Sequence, residues 1–369
     1  MRVGVIGGGQ LARMMIAPAV ELGVEIRVLA EAEGMSAALA TTAVGDYRDV
    51  ATVLTFAREV DVVTFDHEHV PQEVLAALVD AGVAVHPGPD ALRYAQDKLL
   101  MRERLAEFGL PVPDWARVTT EAEVDRFLAE HGGRAILKQP RGGYDGKGVR
   151  IVGSGAEASD WLTAGPLLIE ELVDFRRELA QLVARRGSGD TVGWPLVETV
   201  QIDGVCSEVI APAPHSRGRI SEVAMDVALT IAERVGVIGV LAVELFETRD
   251  DRILINELAM RPHNSGHWTM DGSVTGQFEQ HLRAVLDLPL GATGSLGEWA
   301  VMVNLLGGPN GETVVSRLPR ALAEHPVVKV HTYGKAPRPG RKVGHVTAVG
   351  TDLDEVGYHA RATAVHFRG

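Results

Sequence analysis

The carboxylates of Glu244 and Glu257 are the pair of side chains whose type and spacing most directly suggest chemistry. Residues 240–247 and 252–258 have the composition of two strands, and the polar residues between them favour a turn. If the turn is centred on residues 250–251, Glu244 lies directly opposite Glu257, where like charges are unfavourable. Oxygen ligands on a rigid hairpin suit a hard cation, so we predict that Mg²⁺ or Mn²⁺ binds there, with phosphate oxygens and water completing its shell.

A polar loop directly follows the second of these strands. Two glutamates on a solvated sheet face are the simpler explanation of the pair taken alone, but this loop carries more polar groups than an ordinary connection needs. We therefore favour a combined metal and anion site. The polar residues of the loop are Arg261, His263, Asn264, Ser265 and His267.

The composition excludes several classes of protein. A chain of 369 residues is long enough for two or three domains, and its formal net charge of −13 disfavours a nucleic-acid or membrane-surface partner. The single cysteine, Cys206, excludes an internal disulfide framework, and we expect it to be a small buried residue. No apolar run is long enough to span a bilayer and no signal-peptide pattern is present, so we expect a cytoplasmic protein.

The first residues predict a strand, a glycine turn and a helix. Residues 7–12 (GGGQLA) match the G-x-G-x-x-A pattern of dinucleotide-binding turns, and Glu31 stands where a ribose-binding acid is expected. A nicotinamide-dependent oxidoreductase is therefore one interpretation, although similar turns also begin strand–helix units that bind no dinucleotide. Strands alternate with helices up to residue 96, which predicts a Rossmann-like domain with a parallel sheet over residues 1–96.

Acids and histidines alternate in residues 66–69 (DHEH), at the end of a predicted strand. Neighbouring side chains of an extended segment point to opposite faces, so these four cannot readily converge on a metal ion. We predict instead that the segment forms the rim of a substrate cleft, with Glu68 as a polar contact.

Two lysines and a glycine-rich hairpin come next in the chain. Lys98 lies in a helix predicted over residues 90–108, and Lys138 ends a predicted strand. Residues 141–148 (RGGYDGKG) then precede another strand, and the backbone N–H groups of such a hairpin can cover phosphates. The pattern is not a P-loop, which requires G-x-x-x-x-G-K-[ST] at the start of a helix. A mobile surface hairpin is the alternative, but the basic side chains favour a phosphate lid.

The densest basic cluster lies late in the chain, among two prolines and a glycine that restrict the backbone. In a chain this acidic a local basic cluster is informative, so we predict that it binds a phosphate group. A solvated basic loop is the alternative. The cluster consists of Lys335, Arg338, Arg341 and Lys342.

Taken together, these segments resemble the ATP-grasp superfamily and, within it, the family of N5-carboxyaminoimidazole ribonucleotide synthases. The resemblance rests on four sequence blocks that occur in the same order: 7–14 (GGGQLARM), 142–148 (GGYDGKG), 255–268 (INELAMRPHNSGHW) and 339–345 (PGRKVGH).

The resemblance implies an α/β (α+β overall) chain with an ATP-grasp fold. It implies a Rossmann-like domain over 1–96, an ATP-grasp domain over 97–290 with a lid subdomain at about 115–172, and a small β-rich domain over 291–369. It also suggests a homodimer.

The activity implied by the resemblance is an ATP-dependent ligation in purine biosynthesis. Bicarbonate attacks ATP to give carboxyphosphate, and the amine of 5-aminoimidazole ribonucleotide then captures the carboxyl group. The implied ATP-binding residues match family positions and are Lys98, Lys138, Tyr144, Asp145, Gly146, Lys147, Gly148, Val149, Arg150, Glu170, Glu171, Leu172, Val173, Glu178, Asn256 and Glu257.

The remaining polar residues are assigned to the reacting groups and to the ribonucleotide. We expect Arg261 to clamp the transferring group bidentately, because a guanidinium fork matches phosphate and carboxylate oxygens. His263, Asn264 and Ser265 would add donors around carboxyphosphate, and Asp145 could accept a proton from the substrate amine. The 5′-phosphate would lie against Lys335, Arg338, Arg341 and Lys342, with Gly8 and Gln10 on the far wall.

The sequence departs from the family pattern at three positions. Met260 replaces the usual proline before the arginine, which we expect to loosen the loop. Gln201 stands where relatives often have a nucleotide-contacting histidine, so we leave it out of the site. Ala259 stands two residues after the second metal-binding glutamate, where asparagine is frequent, and Asn256 is expected on the opposite strand face.

Three other functions stay open on the sequence alone. Another ATP-grasp carboxylase or transferase would share the ATP site and differ in the acceptor. A nicotinamide-dependent oxidoreductase would use the first glycine turn and leave the acidic hairpin without a role. A regulatory protein would bind ATP without turnover.

Overall fold

The computed structural model describes residues 1–143, 148–202, 204–216, 218–307 and 313–367. Within these ranges the chain forms three sheets. The first lies within residues 1–96, the second lies within residues 115–171, and the third contains strands from residue 175 to residue 350. None of the helices in the described ranges combines the length and the apolar character that a bilayer span requires.

The first sheet has five strands in the order β3-β2-β1-β4-β5, and all its neighbours are parallel. Its central strands read as continuous apolar runs because helices cover both faces. The predicted parallel-sheet domain is thereby confirmed. The strands are β1 (Arg2–Ile6), β2 (Glu25–Ala30), β3 (Thr41–Val44), β4 (Val62–Phe65) and β5 (Ala84–Val85), and the helices are α1 (Gln10–Glu21), α2 (Val50–Ala57), α3 (Gln72–Asp80) and α4 (Pro89–Gln96).

The helix predicted over residues 90–108 is wrong as a single element, because α4 ends at Gln96 and α5 (Lys98–Glu107) begins at once. Asp97 has an extended backbone (φ −135°), and its carboxylate accepts hydrogen bonds from Leu99 N at 3.0 Å and Leu100 N at 3.1 Å. This N-cap satisfies donors that would otherwise lack partners, so a new helix starts there. Lys98 is therefore the first residue of α5.

The second sheet has four antiparallel strands in the order β6-β9-β7-β8. Its inner face packs against α6, which begins with a capping box between Thr120 and Glu123. The elements are β6 (Trp115–Val118), α6 (Glu121–Glu130), β7 (Ala135–Lys138), β8 (Val149–Val152), α7 (Ser159–Leu162) and β9 (Leu167–Glu171).

The third sheet is the largest and is antiparallel throughout, with the order β15-β14-β10-β12-β13-β16-β18-β17 and with β11 paired to β10. Its last three strands in chain order are β16 (Trp299–Leu306), β17 (Lys329–Thr332) and β18 (Lys342–Gly350). Helix α8 packs against the face that carries Leu179, Val183 and Leu245, and the opposite face carries Glu178 and Glu244. Its first elements are β10 (Phe175–Arg185), β11 (Thr191–Gly193), β12 (Val197–Ile202), β13 (Val205–Ala211), α8 (Arg219–Val235), β14 (Gly239–Thr248), β15 (Ile253–Ala259), α9 (Thr269–Gly272) and α10 (Gln277–Val285).

The C-terminal strands extend this same sheet, because β16 pairs with β13. The region expected to be β-rich contains three strands, and helix α12 packs across β16 and β18 in a separate apolar cluster. The domain boundaries, including the one near residue 290, stay a prediction. The elements are β16 (Trp299–Leu306), α11 (Val314–Glu324), β17 (Lys329–Thr332), β18 (Lys342–Gly350) and α12 (Leu353–Val365).

Candidate active site

The two predicted metal ligands face each other across the hairpin of β14 and β15. Glu244 pairs with Glu257, but the register shifts between Glu244 and Leu245, so that Leu245 pairs with Ile255 and Asn256 forms a bulge. If the register of the pairs nearer the turn continued, Glu244 would face Asn256 instead. The bulge therefore brings the two carboxylates together.

The bulge lies at Asn256, which we predicted on the strand face opposite to Glu257. Asn256 Oδ1 accepts a hydrogen bond from Lys138 Nζ at 3.3 Å, and Glu257 Oε1 accepts one from Lys98 Nζ at 2.5 Å. A bulge interrupts the two-residue alternation of a strand, so the face expected for Asn256 stays a prediction. Both residues lie beside a lysine of the predicted phosphate site.

A buried ion cluster holds the second lysine in place. Glu170 Oε2 lies 2.6 Å from Lys138 Nζ, and Glu170 Oε1 pairs with the guanidinium of Arg102. Burial alone would raise the pKa of Glu170, but Lys138 and Arg102 outweigh that effect and lower it. Arg102 also donates to the carbonyls of Ile255 at 2.8 Å and Asn256 at 3.0 Å, so it fastens the bulge to α5.

Sequence reasoning missed Arg102, since an arginine within a helix gives no signal of burial. Its side chain is fully buried, which is uncommon for this residue type unless it is paired. Arg102 joins three segments that sequence analysis treated separately: the helix of Lys98, the acidic strand end at Glu170 and the hairpin.

Glu178 lies on the same sheet face as Glu244, since Ala180 pairs with Glu244 in β10 and strand side chains alternate. The pKa of Glu178 is raised to about 7, mainly by burial and to a smaller extent by the charge of Glu244. A carboxyl group with this pKa gains or loses its proton near neutral pH, so its state depends on what binds beside it.

The polar loop after β15 contacts the hairpin through His263, whose Nε2 lies 3.1 Å from Glu244 Oε1. Burial would raise the pKa of Glu244, but His263 and the charges of Arg261 and Lys342 lower it. Ser265 Oγ lies 2.8 Å from His263 Nδ1 and therefore orients the ring from its other side.

Gln277, the first residue of α10, holds the backbone of this loop and was also missed by sequence reasoning. Its side chain accepts from His263 N at 2.8 Å and donates to His263 O at 2.8 Å. Its Nε2 also lies 2.9 Å from His267 Nδ1. Gln277 is fully buried, so these contacts fix the loop with little competition from water.

The rim prediction for the DHEH segment agrees with the position of Glu68, which lies beside the loop. Glu68 Oε1 accepts from Met260 N at 2.6 Å, and Glu68 Oε2 lies 3.2 Å from Arg261 Nε. A proline at position 260 would have no N–H to donate. The N–H of Met260 thus makes a contact that proline cannot make, which works against the expected loosening of the loop.

A cavity of about 660 Å³ lies in front of the hairpin. Its lining brings together the acidic pair, the first lysine and the loop, as predicted from the sequence. Among the lining residues are Glu68, Lys98, Arg141, Gly142, Gly143, Glu244, Glu257, Arg261 and His263.

A second cavity, of about 430 Å³, lies between the glycine turn and the basic cluster. Lys335 Nζ donates to Gln10 Oε1 at 2.6 Å, so these two predicted substrate residues are in contact. Arg341 and Lys342 also line this cavity, whereas Arg338 is exposed and Gly8 is buried, and neither of them is part of the lining. Both polar side-chain atoms of Asn264, another lining residue, are buried and have no hydrogen-bond partner in the described part of the chain.

The glycine turn itself is filled by carboxylates of the chain. Gly8 N donates to Glu31 Oε2 at 3.0 Å, and Ala12 N donates to Asp66 Oδ1 at 2.8 Å. A Cβ atom at Gly9 would lie 2.0 Å from Asp66 Oδ2, so the turn closes tightly around this acid. A dinucleotide pyrophosphate would need the same N–H groups, which argues against the oxidoreductase interpretation.

Several predicted ATP-binding residues are not tested by this geometry. Tyr144, Asp145, Gly146 and Lys147 lie outside the described residues. Gly148 precedes β8 and Val149 begins it, and the Arg150 side chain pairs with Asp160 at 2.7 Å. Glu171 Oε1 accepts from Asp114 N at 3.0 Å, and Glu171, Leu172 and Val173 line a separate cavity.

The single cysteine agrees with its prediction. Cys206 is buried, and burial raises the pKa of its thiol to about 12. The thiol is therefore protonated at neutral pH and is not a nucleophile there.

The chain has the features of an ATP-grasp enzyme. These are a large antiparallel sheet, a smaller four-stranded sheet and a cleft with two lysines and paired glutamates. Family comparison agrees with this class: the ATP-grasp domain matches residues 103–278, the ribonucleotide synthetase preATP-grasp domain matches 1–96, and the phosphoribosylaminoimidazole carboxylase C-terminal domain matches 300–358.

The chain is similar over nearly its whole length to proteins of one family. The N5-carboxyaminoimidazole ribonucleotide synthase of Mycobacterium tuberculosis (strain ATCC 25618 / H37Rv) is 49% identical over 371 residues, covering 98% of this chain and 86% of that protein. The synthase of Corynebacterium ammoniagenes is 48% identical, with 98% and 91% covered.

Solved structures of the same family share the fold. The synthetase of Thermus thermophilus superposes with a TM-score of 0.90 at 34% identity, covering 100% of this chain and 98% of that one. The Aspergillus clavatus synthase in complex with ADP and 5-aminoimidazole ribonucleotide superposes with a TM-score of 0.89 at 32% identity, with 99% and 98% covered.

This chain belongs to the family of N5-carboxyaminoimidazole ribonucleotide synthases. The predicted ATP-grasp fold and the predicted class, an ATP-dependent ligase of purine biosynthesis that forms a C–N bond, are confirmed.

Proposed function

We propose that the two cavities are the two halves of one carboxylation site, with ATP in the cavity of the acidic hairpin and aminoimidazole ribonucleotide in the cavity of the basic cluster. The observation that carries this assignment is that Arg261 and His263 line both cavities. A carboxyphosphate formed in the first cavity then needs no release into bulk water before it meets the amine in the second.

The hairpin has the ligand set that Mg²⁺ or Mn²⁺ requires. Glu244 and Glu257 are paired across the strands and supply oxygen atoms only, and their own charges need a cation between them. When bound, the ion would neutralise charge on the ATP phosphates. The chain itself contributes Lys98 and Lys138, whose ammonium groups stand beside Glu257 and Asn256.

The reaction consists of two displacements. An oxygen of bicarbonate bonds to the γ-phosphorus while the bond to ADP breaks, and the amine nitrogen then bonds to the carboxyl carbon while phosphate leaves. Phosphoryl transfer depends on positioning and charge neutralisation more than on a protein nucleophile. We assign the clamp to Arg261, held by Glu68, and hydrogen bonding of the carboxyphosphate to His263, Asn264 and Ser265.

The amine loses a proton as the C–N bond forms, and Asp145 is the predicted acceptor. This residue lies in the glycine-rich hairpin and outside the described residues, so its role stays a prediction. The lid function of that hairpin, which would shield carboxyphosphate from water, stays a prediction as well.

The ribonucleotide 5′-phosphate is assigned to Lys335, Arg341 and Lys342. All three line the second cavity together with Gln10. A phosphate group there would meet at least three cationic side chains, while the two carboxylates of the hairpin lie in the other cavity.

The assignment is tested by acceptor-dependent ATP hydrolysis. ADP release should require both bicarbonate and aminoimidazole ribonucleotide, and the carbamate product should form in equal amount. Omission of each substrate is the control. ADP release at the full rate without an acceptor, or faster release with a different amine, would overturn the assignment of the second cavity.

We also propose a homodimer and a cytoplasmic location, both of which rest on the family resemblance. Light scattering of the purified chain tests the first, and a molar mass of one chain would contradict it.

A further inference from the structure

The two C-terminal helices carry a group of metal-binding side chains for which the proposed function has no use. Glu324 ends α11 and His325 follows it, while His366 follows α12. One ligand atom from each of Glu324, His325 and His366 lies within 4.8 Å of the others. None of the three lines either cavity of the carboxylation site.

A third histidine lies next to this group but is not a member of it. His359, within α12, places Nδ1 at 3.1 Å from His325 Nδ1, and Glu324 Oε2 lies 3.2 Å from His366 Nε2. Ligand atoms of a tetrahedral zinc ion with bonds of about 2.0 Å are separated by about 3.3 Å. The Glu324–His366 pair is therefore close to the spacing that one ion would impose, and His359 is a neighbour of the ligand His325.

Neighbouring side chains orient the ligands from outside. Arg320 Nε contacts the other oxygen of Glu324, Oε1, at 2.8 Å, which leaves Oε2 on the side of His366. Arg317 donates to the carbonyl of His366 at 3.0 Å, and Thr363 donates at 2.7 Å to the carbonyl of His359, the neighbour of the ligand His325. Outer contacts of this kind are typical of protein metal sites, because they fix the direction of each ligand.

The donor set selects the class of ion. Two imidazoles and one carboxylate, with water in the fourth position, suit zinc and its borderline neighbours, whereas Mg²⁺ prefers oxygen ligands and several waters. We propose that Glu324, His325 and His366 bind one divalent transition ion of the zinc class and that this ion fastens α11 to α12. The site is structural and separate from the hairpin.

The test is a Co²⁺ titration of the full-length chain, followed by the visible d–d bands of tetrahedral cobalt. Excess Mg²⁺ is present during the titration to fill the metal site proposed at the hairpin. We expect one equivalent of tetrahedral Co²⁺ in the wild type and in Glu257→Gln, displaced by one equivalent of Zn²⁺. His325→Ala and His366→Ala should each raise the dissociation constant at least tenfold.

His131→Ala is the matched control, since His131 also lies beside a carboxylate, Asp114, at 3.6 Å, but in another part of the chain. It should leave the cobalt bands unchanged. Because His325 is buried and its replacement could impair folding, His366→Gln provides the same readout at a less buried position. Zn²⁺ should also raise the melting temperature of the wild type and leave that of His366→Gln unchanged.

Three results would overturn the proposal. Cobalt bands that persist in His366→Ala and His366→Gln would place the ion elsewhere. Bands that vanish in Glu257→Gln would place it at the hairpin. Saturation only at millimolar Co²⁺ would mean adventitious binding.

Discussion

The glycine turn of β1 and α1 and the acidic hairpin of β14 and β15 both predict a phosphate-related site from their sequences, but the structure treats them differently. In the turn, Glu31 and Asp66 accept hydrogen bonds from the backbone N–H groups that an anion would need. In the hairpin, Glu244 and Glu257 are paired and line an open cavity. A motif is a binding site only where its polar groups still face a space that a ligand can enter.

Glu257→Gln is the strongest test of the acidic hairpin, which is the open site in this comparison. We expect kcat to fall by about 10³-fold, since the change removes one of two metal-binding carboxylates and metal-assisted charge neutralisation contributes several kcal/mol. Steady-state ATP hydrolysis with both co-substrates measures the effect, and circular dichroism checks the fold. The matched control is Glu107→Gln, an exposed carboxylate on the helix of Lys98. Activity within twofold of wild type for Glu257→Gln would remove the metal assignment.

Arg341→Met tests whether the second cavity binds the ribonucleotide phosphate. A hydrogen bond to a charged group contributes about 1.5–3 kcal/mol, so KM for the ribonucleotide should rise by about tenfold to a hundredfold with KM for ATP unchanged. Arg338→Met is the matched variant, because Arg338 lies three residues earlier but is exposed outside the cavity. A larger rise in KM for the ribonucleotide in Arg338→Met than in Arg341→Met would contradict the assignment of the phosphate to Arg341.

Gln277→Ala tests whether catalysis at the hairpin depends on the fixed position of the loop that carries His263. We expect kcat to fall by about tenfold, since the backbone of His263 loses two hydrogen bonds of about 1 kcal/mol each. Gln280→Ala is the control on the same helix: Gln280 is equally buried and makes two 2.8 Å hydrogen bonds, but to Gly291. Both variants should lose similar unfolding free energy. An equal loss of kcat in both would show that Gln277 acts through stability alone.

Glu178→Gln tests the electrostatic coupling on the hairpin face. The folded-state pKa of about 7 lies above the ordinary value of 4.5, so the folded protein holds this proton more tightly than the unfolded chain. The contribution of the Glu178 proton to the stability of the folded state is fully present below pH 4.5 and is lost as pH rises toward 7. Urea unfolding between these pH values should show a smaller decline in Glu178→Gln than in wild type. An identical pH dependence in both proteins would contradict the raised pKa.

The smallest effect is expected from Glu31→Gln, in the filled turn. Hydrogen bonds from the His67 imidazole and the Gly8 N–H lower the pKa of Glu31 to about 2. They outweigh burial, which alone would raise the pKa of Glu31. Its contribution is therefore present above the ordinary pKa of 4.5 and is lost as pH falls toward 2. Unfolding at pH 7 should show a loss of about 1 kcal/mol, with kcat within twofold of wild type. Stabilisation of the wild type by NADH would contradict the view that this turn is closed.

Sequence reasoning predicts the hairpin well because strand pairing has a simple geometry. It places Glu244 opposite Glu257, but it misses the bulge at Asn256, since an extra residue in one strand leaves no periodic signature. Four sequence blocks also predict the family, because their order spans nearly the whole chain.

The supporting residues are harder to predict from the sequence. Arg102 and Gln277 act by long-range contacts to backbone atoms of the hairpin and the loop. Such contacts depend on how distant elements pack, which a single sequence does not display. The break at Asp97 was visible in principle, since aspartate is a favoured N-cap.

The continuity of the largest sheet has a consequence for attempts to shorten this enzyme. β13 is bonded on one side to β12 and on the other to β16, so the last strands complete the edge of the sheet that carries the hairpin. A chain truncated near residue 290 would expose the backbone of β13, including the apolar residues Val209 and Ile210, along an open edge. Exposed apolar edges recruit other chains, so the truncated protein should aggregate rather than persist as an ATP-binding fragment.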